Sequence, residues 1–110
     1  MPATTEAKEI TDSWSCGDSH VFGPLALDVA ISTEACKIKG LDNPVAGQAD
    51  ILIFPNIESG NIFYKSSTLL SGGKIAAAVV GTSAPCVLTS RADSEETKFL
   101  SIALGCRLVK

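Results

Sequence analysis

Apolar residues are distributed along this chain in two textures, short continuous runs and scattered positions three or four apart. Asp50-Ile51-Leu52-Ile53-Phe54, closed by Pro55, is a continuous run and predicts a strand buried on both faces. Lys74–Gly81, centred on Ile75–Val80, predicts a second such strand, Cys86–Thr89 a third, and Val21-Phe22 a short one. Between the runs the spacing turns helical. Leu27, Ala30, Ile31, Ala35 and Ile38 fall near one face of a helix over Leu25–Lys39, which Gly40 ends. Ile62, Phe63, Leu69 and Leu70 offer core contacts from a helix over Asn61–Ser71, stopped by Gly72-Gly73. Phe99, Ile102, Ala103 and Cys106 do the same for a helix over Ser94–Lys110. Loops carry Asn43-Pro44 and Gly47, the Asn56–Gly60 turn and Thr82–Pro85.

Strand and helix therefore alternate, which predicts an α/β layered structure with a mainly parallel sheet and sites at the carboxyl ends of its strands. Residues 1–19 are polar and small, with Trp14 as the single large anchor and Ala7–Ile10 as one end of a helix. The α/β portion begins at residue 20 and runs to 110. The last helix reaches Lys110 without a stop signal and the first segment lacks an opening strand, so the chain reads as cut at both ends.

Charge and cysteine content narrow the chemistry. A net charge of −3 with 45% hydrophobic and 19% charged residues offers no general attraction to nucleic acid or anionic lipid. The apolar runs fall well short of a bilayer-spanning helix and the N-terminus has no secretory h-region, so the expected location is cytoplasmic. Cys16, Cys36, Cys86 and Cys106 form no C-x-x-C pair, and His20 is the only histidine, so no metal site is expected. Apolar neighbours predict burial for Cys36, Cys86 and Cys106 and exposure for Cys16.

Two strand ends carry candidate chemistry. Thr89-Ser90-Arg91-Ala92-Asp93-Ser94-Glu95-Glu96 follows the third strand and opens the last helix. A guanidinium flanked by hydroxyls at a helix start can grip a phosphate or carboxylate through charge-assisted hydrogen bonds. Asp93 and Glu96 have N-cap and N3 spacing, so a capping box alone accounts for the acids, but not for Ser90 and Arg91. The second candidate is Pro55–Lys65, where Gly60 permits close backbone approach and Asn61 and Lys65, four apart, can present an amide and an ammonium to one anion. An ordinary β-to-α turn with a solvated lysine explains the same spacing. There is no G-x-x-x-x-G-K-[ST] and no G-x-S-x-G.

Five blocks occur in an order that resembles the phosphate acetyl/butyryltransferase family: Pro2-Ala3-Thr4, Gly23–Asp28, Val45–Leu52, Pro55–Lys65 and Val87–Ser94. The Leu88-Thr89-Ser90-Arg91-Ala92-Asp93-Ser94 form looks more like the butyryl branch than the acetyl one. The resemblance implies an isocitrate/isopropylmalate dehydrogenase-like fold, two α/β domains around a cleft, of which this chain would be a C-terminal portion without the upstream arginines. It implies transfer of a short acyl group, butyryl or acetyl, between coenzyme A and inorganic phosphate. Coenzyme A is then a substrate, no cofactor is tightly bound, and a homodimer or higher homo-oligomer is expected. By motif position Ser90 and Arg91 match the family's active-site pair, which holds phosphate and stabilises developing charge. Acetyl-type relatives have an acid seven positions after the serine, where this chain has Thr97, leaving Asp93 and Glu96 as substitute bases. Gly60, Asn61 and Lys65 match a further block and are implied to line the substrate and coenzyme A cleft. The alternative is a non-catalytic remnant or oligomerisation module of the same fold. A dehydrogenase is weaker, since no dinucleotide fingerprint is present.

Overall fold

The computed structural model describes residues 1–109, which gather into two compact units, Met1–Gly60 and Asn61 onward. Lys110, the expected end of the last helix, lies outside the described residues.

The first unit opens with α1, Pro2–Ser13, which has proline at its start, where a missing N–H costs nothing. It is a full helix, longer than the expected Ala7–Ile10. Thr11 Oγ1 accepts the Gly23 N–H at 2.8 Å, tying α1 to the segment that leads into the next helix. Trp14 donates its indole N–H to Ser19 Oγ at 3.1 Å.

The expected Leu25–Lys39 helix is two helices, α2 at Leu27–Ile31 and α3 at Thr33–Lys39. Ser32 divides them with extended backbone, and its side chain accepts the Ala35 N–H as the cap of α3. Serine competes with helix continuation in this way, and the β-branched Ile31 and Thr33 on either side favour the break. Val29, Cys36 and Ala46 form the core cluster of this unit, with Leu25 and Ala35 packed on it; of the expected face Ala30 is buried, while Leu27, Ile31 and Ile38 are exposed. Gly40 ends α3 in the left-handed region, as expected. The loop that follows folds back onto α2: Asn43 Oδ1 accepts the Val45 and Ala46 N–H groups, and Gly47 donates to Val29 O at 2.8 Å.

The mainly parallel sheet is not formed among the described residues. The four predicted strand segments form no ladder, and pairing is limited to one antiparallel bridge between Val79 and Cys86. A strand gains its hydrogen bonds only from a neighbour, and a single apolar run does not supply one. Nor is the 50–54 run buried on both faces as expected: Leu52 and Phe54 are half-buried, while Ile51 and Ile53 are 77% and 83% exposed.

Helix α4, Ile57–Leu69, begins one turn before the expected Asn61 because Asn56 Oδ1 accepts the Ser59 N–H as a cap. Gly60 thus lies inside the helix rather than in the turn before it, a correction to its expected setting, while Asn61 is helical as expected. Ile62 and Leu69, expected in the core, are exposed.

In the second unit α5, Glu95–Arg107, inverts the expected packing. Phe99 and Ile102 are exposed, and the buried positions are Thr97, Ser101 and Gly105, four residues apart along one stripe. Small residues let the helix approach extended chain closely. Ser101, fully buried, accepts the Ala77 N–H at 3.0 Å and donates to Thr97 O at 2.7 Å. Gly105 faces Val87. Lys74 pairs with Glu96 on the first turn of α5. Cys36 is buried as expected, but Cys86 and Cys106 are exposed along with Cys16.

Candidate functional site

Residues 90–93 form a tight turn closed by a hydrogen bond from the Asp93 N–H to Ser90 O at 3.2 Å. The Asp93 carboxylate braces it from inside, with Oδ2 accepting the Ser90 N–H at 2.7 Å. The N-cap of α5 is Ser94, not Asp93, since Ser94 Oγ accepts the Thr97 N–H at 3.1 Å. The expected capping box is therefore absent: Glu96 is engaged with Lys74, and Asp93 is released to serve the turn. Thr97 is buried, and its Oγ1 accepts the Ser94 hydroxyl.

The other Asp93 oxygen reaches α4. Tyr64 Oη donates to Oδ1 at 2.8 Å, and Lys65 Nζ lies 3.8 Å from the same oxygen. The ammonium also stands 4.7 Å from the centre of the Tyr64 ring, within cation–π range. The Asp93 side chain is only 9% exposed and that of Lys65 37%. The structure thus brings together Ser90, Asp93 and Lys65 of the expected residues and adds Tyr64, with Arg91 next to Ser90 in the turn. Asn61 lies one turn before Lys65 on α4, consistent with their shared helix face. Gly60 belongs to the first unit, where its nearest neighbour is Phe54.

Electrostatics follow from these contacts. The Tyr64 hydrogen bond holds the Asp93 pKa below its ordinary value, against the opposing effect of burial, with the Ser90 N–H and the charges of Lys65 and Lys98 helping. Burial raises the Tyr64 phenol, and its bond to Asp93 adds to the shift. A carboxylate kept ionised by four surrounding donors and cations is a poor proton acceptor and a firm brace. Arg91 is exposed, and among the described residues its guanidinium makes no ion pair. The Arg91 guanidinium and the partly open Lys65 ammonium are each donors of the kind that suits a phosphate dianion. Among the described residues no cluster of three His, Cys, Asp or Glu could hold a metal ion, and no helix is long and apolar enough to cross a membrane. A shallow surface hollow along α1 is lined by Glu6, Glu9, Ile10, Asp12 and Ser13, and its carboxylates repel anions.

Sequence reasoning missed Tyr64 as a site residue, because its partner lies 29 positions away. The available signal was indirect: once Ser94 caps the helix, Asp93 has no local task.

Comparison with known proteins agrees with the resemblance. The family described as Phosphate acetyl/butaryl transferase matches residues 2–106. Over 108 residues, 96% of this chain, identity is 52% to a phosphate acetyltransferase of Thermotoga maritima and 58% to a phosphate butyryltransferase of Clostridium beijerinckii, which are covered over 37% and 36% of their lengths. The chain spans little more than a third of the length of these relatives. A crystal structure of a branched-chain phosphotransacylase from Enterococcus faecalis superposes with a TM-score of 0.88 at 46% identity, covering 97% of this chain and 40% of that one. The chain shares the fold of that matched portion.

Proposed function

The chain belongs to the phosphate acetyl/butyryltransferase family, and from that premise we propose that it supplies the phosphate-gripping part of an enzyme moving a short acyl group, butyryl or acetyl, between coenzyme A and inorganic phosphate. The observation that carries this reading is the braced Ser90-Arg91 turn, whose exposed guanidinium makes no ion pair among the described residues while Asp93 is committed to holding the backbone.

In the acyl phosphate-forming direction, a phosphate oxygen attacks the thioester carbonyl carbon, the C–O bond forms, the C–S bond breaks, and coenzyme A leaves as a thiolate that takes up a proton. Arg91 and the Ser90 hydroxyl orient the phosphate and offset its charge. Lys65 adds a second cation from α4, with Asn61 one turn away as a polar contact for coenzyme A. Asp93 supports the turn rather than taking the proton. Coenzyme A acts as substrate, and no tightly bound cofactor is needed. The extended segments at 51–54, 75–80 and 86–89 take sheet positions when strands lie beside them, the enzyme works as a homodimer or larger homo-oligomer, and it acts in the cytoplasm.

The test is a chimaera in which this chain replaces the matching 108 residues of the Clostridium beijerinckii relative, assayed with butyryl-CoA, acetyl-CoA and phosphate. Acyl phosphate formation is expected, with Arg91→Ala lowering kcat/KM for phosphate by about 10²-fold. A folded chimaera inactive toward both thioesters overturns the reading in favour of a non-catalytic module.

A further inference from the structure

We propose that Tyr64 is a positioning residue of this site: its hydroxyl, acting through Asp93, fixes the Ser90-Arg91 turn and keeps the Lys65 ammonium available to phosphate. The proposal rests on the phosphate-site reading above and adds a residue to it.

The geometry gives each Asp93 oxygen one donor. Oδ2 is pinned by the Ser90 N–H at 2.7 Å and Oδ1 by the Tyr64 hydroxyl at 2.8 Å. Two fixed oxygens define the carboxylate plane, so neither side-chain torsion of Asp93 can turn without breaking a charge-assisted bond. The turn that displays Arg91 inherits that rigidity, because Asp93 both closes it through its own N–H and braces it through its side chain.

The same hydroxyl decides where Lys65 goes. Nζ stands 3.8 Å from Oδ1, beyond a direct hydrogen bond, and 4.7 Å from the Tyr64 ring centre. The phenol fills the acceptor site that a lysine would otherwise close upon, while its ring face holds the ammonium nearby. Without the hydroxyl, Lys65 collapses onto Oδ1 as a tight ion pair and its charge is lost to an incoming dianion. Tyr64 thus separates two groups of opposite charge that would otherwise neutralise each other.

The test uses the full 110-residue chain and inorganic phosphate, followed by NMR at the Ser90 and Arg91 amides. Phosphate is expected to shift both in the wild type. Tyr64→Phe is expected to weaken phosphate binding and to speed Ser90 amide exchange, each about tenfold, the scale of one charge-assisted hydrogen bond. Lys65→Gln supplies a readout that a purely structural tyrosine would not move: it should weaken phosphate binding in the wild type but have little effect beside Tyr64→Phe. If Tyr64→Phe fails to fold, Asp93→Asn, which retains an amide oxygen for Ser90, is expected to speed Ser90 exchange in its place. A wild-type chain whose Ser90 and Arg91 amides ignore millimolar phosphate defeats the phosphate-site reading and this proposal together. Wild-type binding with additive Tyr64 and Lys65 effects, or with an Asp93→Asn chain whose Ser90 exchange is unchanged, overturns the Tyr64 proposal alone.

Discussion

A β-carbon built on Gly105 would stand 2.6 Å from Cγ2 of Val87, so α5 lies against the 86–89 segment only because position 105 has no side chain. Gly105→Ala is expected to destabilise the protein by about 1–3 kcal/mol through overpacking, which outweighs the gain in helix propensity of up to about 1 kcal/mol. Gly60→Ala in α4 is the control, since its β-carbon would meet Phe54 at an ordinary 3.7 Å. Urea unfolding of both variants should move in opposite directions, and matching midpoints would refute the packing argument.

Gly47 answers to backbone conformation as well as space. Its φ is +75°, and a β-carbon there would lie 2.6 Å from the backbone N and Cα of Thr33 at the start of α3. Gly47→Ala should cost about 3 kcal/mol, combining left-handed strain with a clash that no side-chain rotation relieves. The loss should appear first as amide exchange at Gln48 and Ala49, the latter bonded to Ala30 O at 3.0 Å. Unaltered protection there would count against the role given to this glycine.

Ser101 replaces a hydrophobic anchor with a hydrogen bond. Ser101→Ala leaves the Ala77 N–H without its 3.0 Å acceptor, and an unsatisfied half-buried amide costs about 1–3 kcal/mol. Ser101→Thr retains the hydroxyl but adds a methyl group in a fully buried position, so it should restore Ala77 protection while lowering the unfolding temperature. Measured exchange at Ala77 separates the two effects.

The Tyr64–Asp93 contact sets a pH window. Asp93 is held below its ordinary 3.8, first by the Tyr64 hydrogen bond, so its contribution is complete above 3.8 and is lost as pH falls through the depressed value. Tyr64 is raised above its ordinary 10.0, first by burial, so its contribution is complete below 10.0 and is lost as pH rises through the elevated value. Ser90 amide protection should therefore hold steady between these limits and fall on both sides. Carbon-13 titration of the Asp93 carboxyl in the wild type should give a midpoint below 3.8. A wild-type midpoint at or above 3.8 would contradict the arrangement.

Much of this molecule was legible in its sequence, and the illegible parts share a cause. Gly40 ended a helix because a left-handed cap is local chemistry, and the 90–93 segment joined extended chain to helix as its composition implied. The Leu25–Lys39 face held only at its small members, Ala30 and Ala35, because it assumed an unbroken helix where Ser32 caps a second one. Counting large apolar residues on α5 picked Phe99 and Ile102, whereas its contact surface is made of Thr97, Ser101 and Gly105, residues whose value lies in being small. Asp93 looked like a cap because local spacing could not reveal a tyrosine 29 residues earlier.

Residues 51–53 remain extended, with Ile51 and Ile53 outward and no ladder partner among the described residues. Such a segment is an adhesive template, since any extended backbone that arrives beside it can satisfy its amides and bury its isoleucines together. In a purified solution the most abundant candidate is another copy of the same sequence. Colloidal behaviour at high concentration is thus written into Ile51 and Ile53, and Lys or Pro at Ile53 is where a variant that resists self-association would begin.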